Sequence, residues 1–207
     1  MGAMRWLCFV SVLCWSAQAT ASPAILREGD SVVLMGDSEA FLLAQEFPSL
    51  AERANVSFHA VPVPGSSVVY WANGGPWDKI AAFNPTVLLI SLGANDACMG
   101  ARVVQNERPF LIRMMRRIGR LDARAVIWLG PPKIGDRTKF PQAPAGQEMF
   151  ADLITTQTPF TFLDARNITV GMWNDKLHCS RPTTASDRSD GCRTWATWAW
   201  DYVKSPR

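Results

Sequence analysis

The segment Thr86–Leu92 constrains the fold most, because it reads Thr-Val-Leu-Leu-Ile-Ser-Leu and contains no charged residue. A short, continuous apolar run of this kind predicts a strand that is covered on both faces. Such strands belong to parallel sheets whose two faces are packed with helices. The segment therefore favours an α/β protein in which it forms a central strand.

The rest of the chain alternates between strand-like and helix-like patterns. Further strands are predicted over Ser31–Met35, Val56–Val63, Ala125–Leu129 and Pro159–Leu163. Helices are predicted over Glu39–Ala54, Pro109–Leu121, Gln147–Thr155 and Gly191–Val203, with a loop over Trp71–Pro76 and a loop or lid over Lys133–Gly146. This alternation predicts a parallel sheet of about five strands with right-handed crossovers and helices on its faces. A length of 207 residues suits one domain.

The N-terminus has the pattern of a secretory signal peptide. Met1–Arg5 is positively charged, Trp6–Trp15 is apolar, and Ala19-Thr20-Ala21 is a small-x-small cleavage site. We expect a signal peptide over residues 1–21, a mature domain over 22–207, and a secreted or periplasmic protein. The apolar run is shorter than the roughly 20 residues of a membrane span, so we expect no stable membrane insertion after cleavage. An uncleaved N-terminal anchor is the alternative.

The charge pattern argues against nucleic acid as a partner. The chain has 21 basic and 18 acidic residues, a net charge of +3. Four arginines between Arg113 and Arg120 fit a solvated helix face better than a site for an anionic partner. With two histidines and no clustered carboxylates, we expect neither a metal nor a cofactor. We also expect a monomer.

Cysteine positions suggest one disulfide. Cys8 and Cys14 fall within the predicted signal peptide, which leaves Cys98, Cys179 and Cys192 in the mature domain. Exported proteins meet an oxidising compartment, where disulfides form and persist. Cys179 and Cys192 flank one polar loop, so we expect them to pair and Cys98 to remain a thiol.

Residues suited to acyl transfer follow the predicted strands. Ser38 comes directly after the first strand, and the carboxyl ends of parallel strands meet at one edge of a sheet. A serine nucleophile needs a base, and His178 lies in an irregular segment that can aim it, whereas His59 lies within a strand. Asp175, three residues before His178, can orient the imidazole. Asp164 is an alternative orienter.

The same edge offers donors for the oxyanion of a tetrahedral intermediate. The backbone N–H groups of Ser38 and Gly65 and the side-chain amide of Asn95 form the expected oxyanion hole. The tripeptide Gly-Asp-Ser occurs a second time at Gly29-Asp30-Ser31, but that copy precedes the strand and is expected at the opposite edge.

Together these residues resemble the SGNH hydrolases, also called the GDSL esterase/lipase family. The matching blocks are Gly36-Asp37-Ser38, Gly65 in Pro-Gly-Ser-Ser, Gly93-Ala94-Asn95-Asp96, and Asp175-x-x-His178. The resemblance implies a flavodoxin-like, three-layer α/β/α sandwich and ester hydrolysis by a Ser-His-Asp triad without a metal. Glu39 departs from the family, which more often has an apolar residue there. Its charge either favours the helix start or raises the pKa of His178, and we favour the first.

The expected function is that of a secreted serine esterase, a carboxylic ester hydrolase acting on a small-molecule or glycan ester. Small acyl groups, such as acetyl on a carbohydrate, are the favoured substrate. A lipolytic or thioester-cleaving enzyme of the same superfamily is one alternative, and a non-catalytic envelope-binding module is another. Lys133, Arg137 and Lys139 belong either to a solvated loop, which we favour, or to a lid that meets an anionic or sugar substrate.

Overall fold

The computed structural model describes residues 24–168, 175–180 and 190–205. The predicted signal peptide, residues 1–21, lies outside the described residues. So does most of the polar loop between the two cysteines of the predicted disulfide.

A parallel sheet forms the centre of the protein. Its five strands are β1 (Ser31–Gly36), β2 (Ser57–Pro62), β3 (Val87–Ser91), β4 (Ala125–Leu129) and β5 (Thr161–Leu163). They are ordered β2-β1-β3-β4-β5, and every adjacent pair is parallel. All residues of β3 are buried, as its apolar sequence requires. The prediction of a parallel, five-stranded α/β sheet is confirmed.

Helices cover both faces of this sheet. They are α1 (Ser38–Leu43), α2 (Phe47–Arg53), α3 (Val68–Asn73), α4 (Trp77–Ala82), α5 (Ala94–Cys98), α6 (Ala101–Asn106), α7 (Arg108–Ile118), α8 (Ala143–Gln157) and α9 (Gly191–Lys204). Alternate residues of β1 point to opposite sides. Val32 and Leu34 pack with Trp195 of α9, whereas Val33 and Met35 pack with Trp71 of α3. The result is a three-layer α/β/α sandwich.

Several predicted elements differ from those observed. The single helix predicted over Glu39–Ala54 is two helices, and Pro48 lies in the first turn of α2, where its missing N–H is not needed. The loop predicted over Trp71–Pro76 is wrong for its first half, because α3 extends to Asn73 and α4 follows from Trp77. The predicted loop over 133–146 ends earlier, where α8 begins at Ala143. Helices of five or six residues contain too few turns to show an apolar period.

Among the residues that the structure describes, none forms a helix long and apolar enough to span a membrane.

Candidate active site

A sharp turn between β1 and α1 places Ser38 at the carboxyl edge of the sheet. Gly36 has a φ of +147°, and a Cβ atom there would lie 1.7 Å from the carbonyl oxygen of Ser91. Only glycine therefore lets β1 run this close to β3 before turning. Asp37 caps α1 by accepting a hydrogen bond from the N–H of Glu39 at 2.9 Å. Ser38 follows as the first residue of the helix.

Ser38, His178 and Asp175 form a continuous chain of hydrogen bonds. The Nε2 atom of His178 lies 2.8 Å from the Oγ atom of Ser38, and its Nδ1 atom lies 2.6 Å from Oδ2 of Asp175. The other oxygen of Asp175 accepts the N–H groups of Leu177 and His178 at 3.1 and 3.2 Å. Partial burial works to raise the pKa of Asp175, but these hydrogen bonds outweigh it and lower the pKa, so the group remains a carboxylate.

A disulfide anchors the segment that carries the histidine. Cys179, which directly follows His178, is bonded to Cys192 in the first turn of α9, so the predicted pairing is confirmed. The backbone of the two segments is also joined, since the N–H of Cys192 donates to the carbonyl of Ser180 at 3.0 Å. Cys98 is a free thiol, and burial raises its pKa to about 11, which keeps it protonated at neutral pH.

The residues expected to bind an oxyanion lie on three segments that are bonded to one another: the β1–α1 turn with the start of α1, the loop after β2, and α5. Gly65 has a φ of +78°, in the region that favours glycine, and lies in the exposed loop after β2. The side-chain amide of Asn95 donates to the carbonyl of Ser66 at 2.9 Å. The hydroxyl of Ser66 in turn donates to the carbonyl of Gly36 at 3.3 Å. The Asn95 bond uses one of two amide hydrogens, so that amide has the capacity to donate to a second acceptor.

Glu39 is buried in the first turn of α1. It is 1% exposed, and burial, with Asp37 nearby, raises its pKa well above the usual range. Burial therefore disfavours the charged form on which both predicted roles of Glu39 depend.

The alternative candidates have other partners. Asp164 accepts two hydrogen bonds from the guanidinium of Arg166, at 2.8 and 2.6 Å, instead of orienting His178. The ring of His59 stacks on Phe83 with centroids 4.0 Å apart. In the first Gly-Asp-Ser copy, Asp30 forms an ion pair with Arg124 at 2.7 Å, at the amino edge of the sheet. Within the described ranges, no three His, Cys, Asp or Glu residues cluster closely enough to hold a metal ion.

A cavity of about 280 Å³ lies beyond the carboxyl ends of β4 and β5. Its lining is formed by Lys133, Arg137, Pro144, Gln147, Glu148, Arg166 and Asn167. The loop that carries Lys133 and Arg137 touches the histidine segment, because the N–H of Gly135 donates to the carbonyl of Lys176 at 2.8 Å. Lys139, by contrast, lies over the ring of Phe140 and does not line the cavity.

Glu107 is a buried acidic residue near Asn95 of the candidate active site, and the sequence analysis did not identify it. It lies between α6 and α7, is 4% exposed, and forms a hydrogen bond with Asp96. A glutamate just before the Arg108-Pro109 start of a helix is ordinarily exposed, so neither its neighbours nor its spacing signalled burial.

No family profile matches the sequence, and no curated protein matches it. Solved structures do share the fold. A lipase from a goat rumen metagenome superposes with a TM-score of 0.61 at 12% identity, over 85% of this chain and 98% of the lipase. A catalytic mutant of an acetylxylan esterase from Geobacillus stearothermophilus superposes with a TM-score of 0.59 at 12% identity, over 84% and 95% of the two chains.

A gut microbial diltiazem-metabolizing enzyme also has this fold, with a TM-score of 0.59 and 17% identity over 86% of this chain. The match spans 47% of that enzyme's length. At these identities the likenesses establish a common architecture.

Proposed function

We propose that this chain is a serine esterase of the SGNH type, with Ser38 as nucleophile, His178 as general base and Asp175 as its orienter. One observation carries the proposal. Two hydrogen bonds of 2.8 and 2.6 Å connect the three side chains in the order that acyl transfer requires. Solved structures with the same fold include a lipase and an acetylxylan esterase.

In the proposed reaction, the Ser38 hydroxyl attacks the ester carbonyl while its proton passes to Nε2 of His178. The tetrahedral intermediate collapses to an acyl-serine, and His178 gives its proton to the departing alcohol. Water then attacks the acyl-serine with His178 again as base, which releases the carboxylic acid and restores the Ser38 hydroxyl. Asp175 holds the imidazole tautomer and stabilises the imidazolium.

The oxyanion of each intermediate is assigned to the backbone N–H groups of Ser38 and Gly65 and to the amide of Asn95. Bonds between Asn95 and Ser66, and between Ser66 and Gly36, join the three segments that carry these donors. Donors fixed before the reaction stabilise the transition state without reorganisation, and each is worth about 10²–10³ in kcat.

Small acyl groups on a carbohydrate are the proposed substrate. The acetylxylan esterase with this fold supports that choice, and the polar, cationic cavity beside the histidine segment suits a hydrophilic alcohol better than a lipid. A lipolytic role is the second candidate, because a lipase has the same fold. The hydrogen-bonded Ser38, His178 and Asp175 argue against a binding module without activity.

A fluorophosphonate probe tests the nucleophile. We expect the wild type to be labelled and Ser38→Ala not to be; equal labelling of both would overturn the assignment. A series of p-nitrophenyl esters from acetate to palmitate, beside acetylated xylooligosaccharides, tests the substrate. Activity that falls steeply beyond butyrate supports a small acyl group, and a preference for long chains would favour a lipase.

Secretion is proposed from the N-terminal pattern and is compatible with the disulfide. Intact-mass measurement of the protein from the culture medium or periplasm should find a chain that begins at Ser22. Recovery of the full chain from membranes would instead indicate an uncleaved anchor.

A further inference from the structure

Asp96 and Glu107 are buried side by side behind the candidate active site. Asp96 lies in α5, directly after Asn95, and is 2% exposed, while Glu107 is 4% exposed. Their carboxyl groups share a side-chain hydrogen bond. Two carboxylates are both acceptors, so such a bond requires a proton on one of them.

The surroundings of the pair contain no buried cation among the described residues. Apart from the contact between the two carboxyl groups, Oδ2 of Asp96 and Oε2 of Glu107 are buried and have no hydrogen-bond partner among the described residues. Helix α3 carries no charged residue, and Asp37 and the Cys98 thiol, which lie near enough to interact electrostatically with Asp96, supply no positive charge. The charged side chains of α6, α7 and α8 are either exposed or bonded elsewhere: Arg102, Arg108, Arg113, Arg116, Glu148 and Asp152 are exposed, and Arg117 donates to the carbonyl of Ala72.

One proton resolves this arrangement. Two buried negative charges without a cation are strongly unfavourable, and protonation of one carboxyl group removes one charge and supplies the missing donor. Burial and the neighbouring Asp96 raise the pKa of Glu107 well above its usual range. Asp96 has a competing role, since its Oδ1 accepts the N–H of Val68 at 3.0 Å. Glu107 is therefore the better site for the proton.

Asp96 connects α5 to the segment that follows Gly65. Val68 begins α3, three residues after Gly65, and donates its N–H to Asp96 of α5. The adjacent residue, Asn95, donates its side-chain amide to the carbonyl of Ser66 at 2.9 Å. These two bonds set the position of the Gly65 loop relative to the Asn95 amide.

We propose that Glu107 is a positioning residue. Its protonated carboxyl group donates a hydrogen bond to the Asp96 carboxylate, and Asp96 thereby holds the Gly65 loop in a fixed position relative to Asn95. The catalytic consequence rests on the proposed esterase function, whereas the protonation of Glu107 does not. Loss of the proton would place two negative charges side by side and loosen the contact between α5 and the Gly65 loop.

Two variants test the catalytic consequence with p-nitrophenyl acetate. Glu107→Gln keeps a donor toward Asp96 and should retain kcat at neutral pH. Glu107→Leu has no donor and should lower kcat by about 10-fold or more with a smaller change in KM. The reason is that misplaced oxyanion donors weaken binding of the transition state more than binding of the substrate. Wild-type kcat in folded Glu107→Leu would overturn the proposal.

The dependence of kcat on pH above neutrality distinguishes a positioning role of the Glu107 proton from a role of its side chain in packing alone. In the wild type, Glu107 loses its proton as pH rises, and kcat should fall; Glu107→Gln has no proton of this kind and should keep its kcat to higher pH. Ser38→Ala measured at each pH gives the spontaneous hydrolysis to subtract. Superimposable limbs for wild type and Glu107→Gln would overturn the proposal, even if Glu107→Leu fails to fold.

A stability measurement decides the protonation without any activity. A raised pKa means that the native state binds a proton that the unfolded state has lost above about pH 4.3. The free energy of unfolding of the wild type should therefore fall relative to that of Glu107→Gln as pH rises from 5 to 8. Parallel curves would overturn the proposal. Inactivity of the wild type toward every ester would count against the proposed function alone.

Discussion

The Nε2 atom of His178 lies 2.8 Å from the Oγ atom of Ser38, although 140 residues separate them along the chain. Ser38 owes its place to the turn after β1, and His178 owes its place to a segment anchored by the Cys179–Cys192 disulfide. The two meet because the carboxyl ends of all five strands face the same way.

Replacement of either partner in this contact should abolish esterase activity. We expect Ser38→Ala and His178→Ala each to lower kcat for p-nitrophenyl acetate by about 10⁴-fold or more, because proton transfer and attack depend on both groups. Melting temperatures close to that of the wild type would show that the fold is intact. Normal turnover by Ser38→Ala would rule out the mechanism.

Asp164 provides a control for substitution of Asp175, because both aspartates are candidates to orient His178. Asp175→Asn should lower kcat by about 10²–10⁴-fold, because the amide cannot hold the productive imidazole tautomer. Asp164→Asn should leave p-nitrophenyl acetate hydrolysis nearly unchanged, because Asp164 is bonded to Arg166. Steady-state kinetics of both variants check this, and a larger loss in Asp164→Asn would reverse the assignment.

The disulfide should stabilise the protein and position the base. Cys179→Ser/Cys192→Ser removes a cross-link with a sequence separation of 13 residues, a loss of about 3 kcal/mol. In a chain of this size that corresponds to a drop of roughly 6–12 °C in Tm. We also expect a lower kcat, since the histidine segment loses its anchor. Cys98→Ser is the control, and an equal effect of that change would contradict this role.

Substitution by alanine should have opposite effects on stability at Gly36 and at Gly119. Gly36→Ala would place a Cβ atom 1.7 Å from a backbone oxygen, so we expect an unfolded or insoluble protein. Gly119 has a φ of −60° and open space around it, and Gly119→Ala should be neutral or stabilising by up to about 1 kcal/mol. Urea unfolding of each soluble variant measures the difference. A stable Gly36→Ala protein would show that β1 and β3 have room to separate there.

Part of the free energy of unfolding should be lost at acid pH as Asp30 becomes protonated. Burial works to raise its pKa, but hydrogen bonds from Arg124 and Thr86 outweigh burial and lower it. Its stabilisation is therefore complete above the unfolded pKa of about 3.9 and is lost as pH falls through the lower native value. The gap in unfolding free energy between wild type and Asp30→Asn should narrow from pH 5 to pH 2.5. A constant gap would exclude this linkage.

The strands of the sheet could be predicted because each buried parallel strand is a short apolar segment of the sequence that ends at turn residues. The segment 125–129 is predicted and observed with the same bounds. Short helices could not be predicted in this way: α3 occupies the first half of the loop predicted over Trp71–Pro76, and α4 begins directly after it. Six residues make fewer than two turns, so their formation depends on packing against the sheet.

The sequence by itself determined the five strands and their order along the chain, the edge on which Ser38 and Asn95 lie, and the cysteines that pair. Those features follow from apolar periodicity, turn residues and loop position, which are local properties. Only the tertiary structure decided that Asp175 contacts His178, that Asp164 pairs with Arg166, and that Glu39 and Glu107 are buried. The physical reason is that the charge state and partner of a carboxyl group depend on the groups and solvent around it, and distant segments of the chain supply both.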